Sequence, residues 1–300
     1  MTRVTDYFGI SGDVPFANVH VDRDNGIYLD PSAIRNDHSA RGVAANNRLT
    51  TLFEKVVAAA RSNDPQEHIV GRELLQHLHE PNETRLGMSR GQPRGRAFGD
   101  KLAEEFWHEL RINPACRDAA IRRLEDTRLC LENVGNDRIS DMTTRIIFEV
   151  LAEFTTEMMT AYPALNAGST TAATDVWVPD AGRWKSRNLT LPFADGKQLL
   201  LVPLPWISKW TLMYPDQFYN LYATQVIQDE RTTLDKKGRR RRPPKKAIKQ
   251  EHPEKKPLNS GKAAEYLTDH NRDLIGEYRS EVDMRFQALT AEEINERIGE

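Results

Sequence analysis

Apolar side chains in this chain recur at three- and four-residue spacing as far as Pro163, and there the period changes. That switch limits the fold more than any single motif, because a period near 3.6 makes a helix stripe and a period of 2 a strand face. Before Pro163 the stripes predict helices over about 42–62 (Leu49, Leu52, Phe53, Val56, Val57, Ala60) and 65–79 (Ile69, Val70, Leu74, Leu75, Leu78). Three more follow, over about 98–111 (Phe98, Leu102, Phe106, Trp107, Leu110), 114–132 (Ile121, Leu124, Leu129, Leu131) and 140–161 (Ile146, Ile147, Val150, Leu151, Phe154, Met158). The second has a marked start, with Asp64 as N-cap, Pro65 at the first helical position and Glu67 in the first turn. One β-prone stretch precedes them at 14–32, where Asn25-Gly26 reads as a turn and Asp30-Pro31 as a breaker.

After Pro163 an Ala/Gly/Ser/Thr-rich loop over 164–175 leads to strand-like segments at 175–178, 188–192 and 198–203, the last behind an Asp195-Gly196 turn. A helix at about 215–230 follows, and polar helices close the chain; Thr290 and Glu293 have capping-box spacing at the last. The expected class is α+β: a helix-rich single domain with a small antiparallel sheet and a flexible basic insertion. Its segments are a mainly helical 1–163 with an initial β-segment, a small sheet plus helix over 164–230, the basic stretch 231–257, and C-terminal helices over 258–300.

No apolar run approaches the roughly 18 residues of a membrane span, and the N-terminus has no apolar signal-peptide region. Cys116 and Cys130 match no metal spacing and read as small buried hydrophobes in a reducing compartment. The expectation is a cytoplasmic protein with no membrane partner.

Charge is distributed unevenly. Residues 236–249 hold nine cations in fourteen positions and no acid. The whole chain is formally −2, so without those nine the rest would stand at −11. Clustered Lys and Arg attract phosphates at long range and release counterions on contact. Arg239, Arg240, Arg241, Arg242, Lys245 and Lys246 are therefore candidates for binding nucleic acid, DNA or RNA; the competing reading is a solvated linker.

The loop 80–97 is the other unusual composition. Gly87, Gly91, Gly95 and Gly99 are spaced by four, and Arg85, Arg90, Arg94 and Arg96 can fork onto phosphate oxygens. It is neither a Walker loop nor a dinucleotide-binding loop. Carboxylates recur at turns nearby and elsewhere. Asp30 leaves a strand, Glu80 and Glu83 open the loop, and Asp137 and Asp141 start a helix. Mg²⁺ or Mn²⁺ takes one or two carboxylates plus substrate phosphate and water, so Asp30, Glu80, Glu83 and Asp141 are candidate metal ligands. Ordinary helix capping explains Asp141 equally well. His77 and His79 face different ways on a helix, and no zinc motif or serine-nucleophile elbow is present. Trp206, Trp210, Tyr214, Phe218, Tyr219 and Tyr222 precede the basic tract, either as a base-stacking platform or as a helix face on the core.

Four blocks resemble a group of uncharacterised prokaryotic proteins of about this length found among mobile and antiphage-defence genes: Gly26–Pro31, Glu80–Gly87, Gly135–Thr144 and Gly196–Pro203. The similarity spans roughly residues 15–260, and the third block is the most specific. The resemblance implies that Asp30, Glu83, Asp137 and Asp141 form one catalytic constellation. The functional expectation is a nucleic-acid-directed defence protein, a Mg²⁺-dependent nuclease or nuclease-like effector. The alternative is a non-catalytic adaptor or sensor that binds nucleic acid or a protein partner in a defence complex.

Overall fold

The computed structural model describes residues 2–79, 81–87 and 96–299, with side chains from residue 101 onward in the last stretch. Its axis is the helix Ala40–Arg61, which starts at Ser39, whose hydroxyl accepts the Gly42 amide at 3.1 Å. Its predicted stripe is buried: Leu49, Leu52, Phe53, Val56 and Ala60 face the core. The helix Pro65–Gln76 begins at Asp64 as predicted, with the carboxylate accepting the Gln66 amide at 2.8 Å. It crosses the helix Arg96–Ile112 closely enough that a Cβ added at Gly71 would lie 2.4 Å from the Trp107 indole.

Two long predicted helices are divided. The 114–132 stretch is a set of short turns, Pro114–Arg117, Leu124–Asp126 and Thr127–Cys130. Asp126 diverts the backbone there, because its carboxylate takes the amides of Arg122 and Arg123 at 2.9 and 2.8 Å. The 140–161 stretch is two helices, Asn136–Ile146 and Phe148–Ala161, parted at Ile147 (φ −100, ψ 16). Thr143, Thr144, Ile146 and Ile147 are β-branched, and both threonine hydroxyls bond back to carbonyls four residues earlier, at 2.6 and 2.9 Å. Both features loosen a helix, and the break falls where they accumulate.

Strands form antiparallel pairs, with no wider sheet among the described residues. Tyr28–Leu29 pairs with Ile207–Ser208 and brings Asp30 to Trp206, whose carbonyl accepts the Asp30 amide at 3.1 Å. Thr170–Val178 pairs with Arg183–Leu191, starting within the stretch expected as loop. Its Trp177 is fully buried and donates to the Thr51 hydroxyl at 3.0 Å. Phe193–Ala194 pairs with Lys197–Gln198 around Asp195-Gly196, both at positive φ as a tight primed turn requires. The apolar run Leu199–Val202 is buried but joins no ladder. Its bonds go singly to the Pro192 and Glu83 carbonyls, the Thr155 hydroxyl and the Ala17 amide.

The segment expected as a flexible insertion carries regular structure: a hairpin, Thr233–Leu234 with Arg240–Arg241, and a helix, Lys245–Glu251. Beyond it, helices Lys255–His270, Leu274–Met284 and Ala291–Gly299 return to the start of the chain. Thr290 and Glu293 make both capping-box bonds, at 3.2 and 2.8 Å. Arg3 donates to Asn295, and Ile294 and Ile298 share one apolar cluster with Val4, Phe53 and Leu151. The fold is α+β, with one core. No helix among the described residues is long and apolar enough to cross a membrane.

Candidate functional site

The basic stretch stands on the helix Thr224–Glu230. Arg242 pairs with Asp229 at 2.8 Å, Gln228 donates to the Pro243 carbonyl at 2.7 Å, and Arg231 pairs with Glu251 at 2.5 Å. These contacts hold the base of the hairpin. Its tip is organised by Asp235, whose Oδ1 accepts the amides of Lys237 (2.8 Å) and Arg239 (3.0 Å) while Oδ2 takes the Arg239 guanidinium at 3.0 Å. Lys236, Lys237, Arg239, Arg240, Arg241, Arg242, Lys246 and Lys249 are all exposed. Arg241 reaches Asp235 only at 3.9 Å, and among the described residues Lys236, Lys237, Arg240, Lys246 and Lys249 form no ion pair. Lys245 is half-buried, donates to the Asn220 carbonyl, and has its pKa lowered by burial and by the Lys249 charge.

The aromatic run before this stretch turns inward. Trp206, Phe218 and Tyr219 are buried, and Tyr222 stacks on Phe218 at 5.4 Å. Trp210 is 38% exposed, yet Tyr28 stacks on its ring at 6.2 Å and the Arg297 guanidinium lies 5.6 Å from its centroid.

A second polar region runs along the helix Asn136–Ile146. Arg138, Asp141 and Arg145 recur at spacings of three and four, so they share one face. That face deepens along the helix, from an exposed Asp137 through half-buried Arg138 and Asp141 to Arg145, which is 3% exposed. Burial lowers the Arg145 pKa, opposed by the nearby Glu83 and Asp175 carboxylates. Glu83 thus lies by the last turn, while a Cβ on Gly87 would sit 3.2 Å from Asp137 in the first, so residues 83–87 run alongside the helix. Among the described residues, Glu83 Oε2, Arg138 Nη1 and Arg145 Nε are buried without a hydrogen-bond partner. The sequence signal for both arginines was the charged i, i+3, i+7 stripe in an otherwise amphipathic segment.

Two expected site residues have other work. Asp30 is fully buried as the N-cap of helix Pro31–Asn36, and its oxygens accept the Ser32 and Leu212 amides at 2.8 Å each. Burial pushes its pKa up to about 6, against the pull of those amides. Beside it the buried Arg128 donates to the Thr211 and Met213 carbonyls and lies over the Tyr214 ring at 4.7 Å. Asp30 therefore locks the 206–213 loop rather than presenting oxygens to a ligand. Arg85, expected as a phosphate clamp, is also buried, donating to the carbonyls of Val21, Asn82 and Ala194. It fastens the loop entrance to the core. Glu80, Arg90 and Arg94 lie outside the described residues, as does the side chain of Arg96, which opens a helix.

For a divalent cation the donors differ in fit. Asp137 and Asp141 stand one turn apart, about 5–6 Å between Cβ atoms, a span one hydrated Mg²⁺ can bridge. Asp30 does not fit, since both oxygens are engaged. Among the described residues no group of three or more His, Cys, Asp or Glu is arranged to hold a metal.

A family model described as Domain of unknown function (DUF8370) matches residues 10–214. The chain belongs to the DUF8370 family. No curated protein and no solved structure matches it. The DUF8370 match contains Asp30, Glu83 and the polar face of the 136–146 helix, and ends at Tyr214, ahead of the basic hairpin. The two candidate regions thus lie on either side of the boundary of the matched domain.

Proposed function

We propose that this DUF8370 protein captures nucleic acid through the basic unit spanning 233–249. The observation that supports this is the surface itself: a held hairpin and a helix bearing eight exposed cations, five of them without an ion pair among the described residues. A polycation used only for solubility needs no such anchoring, whereas phosphate contact gains from cations held in place. The resemblance to defence-associated proteins supports reading the polymer as foreign DNA or RNA, with the chain as a sensor or adaptor.

A second reading adds phosphodiester cleavage. It is favoured by the buried atoms of Glu83, Arg138 and Arg145 that have no hydrogen-bond partner among the described residues, where the 83–87 segment runs beside the 136–146 helix, polar capacity that a substrate phosphate and its cation would use. Mg²⁺ or Mn²⁺, when bound by Asp137 and Asp141, would supply charge neutralisation at the scissile phosphate.

One experiment addresses both. Anisotropy with labelled oligonucleotides across a KCl series should show that R240E/K246E/K249E weakens binding at least about tenfold and flattens the salt slope by roughly 0.9 per lost phosphate contact. Unchanged affinity would remove the basic unit from function. The same mixtures with Mg²⁺ or Mn²⁺, run on a gel, should show cleavage lost in Asp141→Asn at unchanged melting temperature. Intact substrate across both metals and all oligonucleotides would eliminate the catalytic reading and leave the binding one.

A further inference from the structure

Helix or hairpin, single strand or duplex: the basic unit's shape narrows its ligand. Side chains alternate faces along a strand, and the register pairs Leu234 with Arg240 and Thr233 with Arg241. One ribbon face therefore carries Arg240 and the other Arg241, with Lys236, Lys237 and Arg239 at the tip. A ribbon that lies flat on a polyanion needs cations on one face only. A ribbon flanked by phosphates on both sides needs them on both.

We infer that the 233–241 ribbon inserts tip-first into the major groove of double-stranded DNA. This rests on the nucleic-acid reading above and names the polymer. The dimensions agree. The paired strands are two residues each and Lys236 and Lys237 lie in the turn beyond them, so the three residue steps from Thr233 to Lys236 reach at most about 10 Å at ~3.3 Å per step, against a groove about 8.5 Å deep and 12 Å wide that admits a two-stranded ribbon. The A-form RNA duplex has a major groove too deep and narrow for side chains to read. Single strands are bound by stacking bases on aromatic rings. Of the aromatics before the ribbon, Trp206, Phe218 and Tyr219 are buried, and Trp210, 38% exposed, already stacks with Tyr28 and lies against the Arg297 guanidinium. Leu234, 69% exposed beside Arg240, gives the ribbon an apolar contact of the kind that thymine methyl groups accept.

Isolated two-stranded ribbons are marginal in water, so the tip depends on its internal ties. Asp235 makes three of them, and Gly238 turns the chain at φ +74. Asp235 is also an acid in a binding surface, which gives a test with opposite signs. For a flexible polycation, Asp235→Ala removes a repulsive charge and strengthens binding. For a preorganised ribbon it weakens binding although the net charge becomes more positive.

Full-length protein, Asp235→Ala and the charge-neutral Gly238→Val would be titrated against a duplex DNA, its single strand and the duplex RNA of the same sequence at one KCl concentration. The expected result is preference for duplex DNA by about tenfold or more and loss of that preference in both variants, with melting temperatures unchanged. Premethylation of guanine N7, a major-groove atom, should weaken wild-type binding severalfold. Equal affinity for all three polymers, or tighter duplex binding by Asp235→Ala, overturns the ribbon inference while nucleic-acid capture stands. No binding to any polymer overturns both.

Discussion

Asp30 shows how a residue's chemistry is set by what its neighbours take from it. Its carboxylate is desolvated, yet two amides aim at it, and the balance leaves the pKa at about 6. Asp30→Asn keeps one acceptor and turns an NH₂ towards the other amide, at a cost of about 1–3 kcal/mol for the buried donor left unmet. The unfolded-state pKa is near 3.8, below the folded value, so between the two the native state holds a proton that the unfolded chain has released. Wild-type stability therefore rises as pH falls from about 6 towards 4 and is lost as pH rises through 6. The variant cannot titrate there. Urea melts should show the gap between wild type and Asp30→Asn widening by about 1 kcal/mol on going from pH 7.5 to pH 5. A constant gap would mean that this carboxylate stays ionised throughout. The Asp30-Pro31 pair was legible in sequence as a breaker. That its oxygens are consumed by Leu212, 182 residues away, was not.

Among the elements, the helix with the strongest local start signal begins where the sequence put it, whereas an apolar stripe alone placed the 40–61 and 96–112 helices but missed the breaks within 114–132 and 140–161. Pro65–Gln76 had a cap, a proline and an acidic first turn, and it starts at the predicted residue. The 140–161 stripe ran straight through Ile147, because periodicity records which face is apolar and not whether β-branched residues lower the helix preference of the backbone between. Gly71 tests the same competition. Alanine is worth up to about 1 kcal/mol over glycine in a helix interior, but its Cβ would meet Trp107 at 2.4 Å and the Ala59 Cβ at 2.8 Å. Overpacking of that kind costs about 1–3 kcal/mol, so Gly71→Ala should lower the melting temperature despite its helix preference. A raised melting temperature would show that the 65–76 and 96–112 helices can part at little cost.

At the scale of the molecule, the matched domain and the folding unit are not the same object. The DUF8370 match ends at residue 214, yet Phe218, Leu274, Ile275 and Tyr278 are buried at 0–1% exposure in the common core, and the Tyr278 hydroxyl accepts the Tyr214 amide at 3.1 Å. A fragment of residues 1–214 should therefore lack a cooperative thermal transition, whereas a chain with 233–241 replaced by a short Gly/Ser turn should melt like wild type. A 1–214 fragment with a sharp transition would place the folding boundary at the family boundary. The sequence by itself determined the helix-rich α+β class, most helix starts and the concentration of positive charge, because caps, periodicity and composition act over a few residues. The tertiary structure decided which charges remain available: Asp30 and Arg85 are consumed by distant backbone, Arg145 is drawn inside, and the exposed cations of 236–249 stand on an anchored hairpin and the helix that follows it. Burial and hydrogen-bond partners are set by residues far apart in the chain, and no local pattern encodes them.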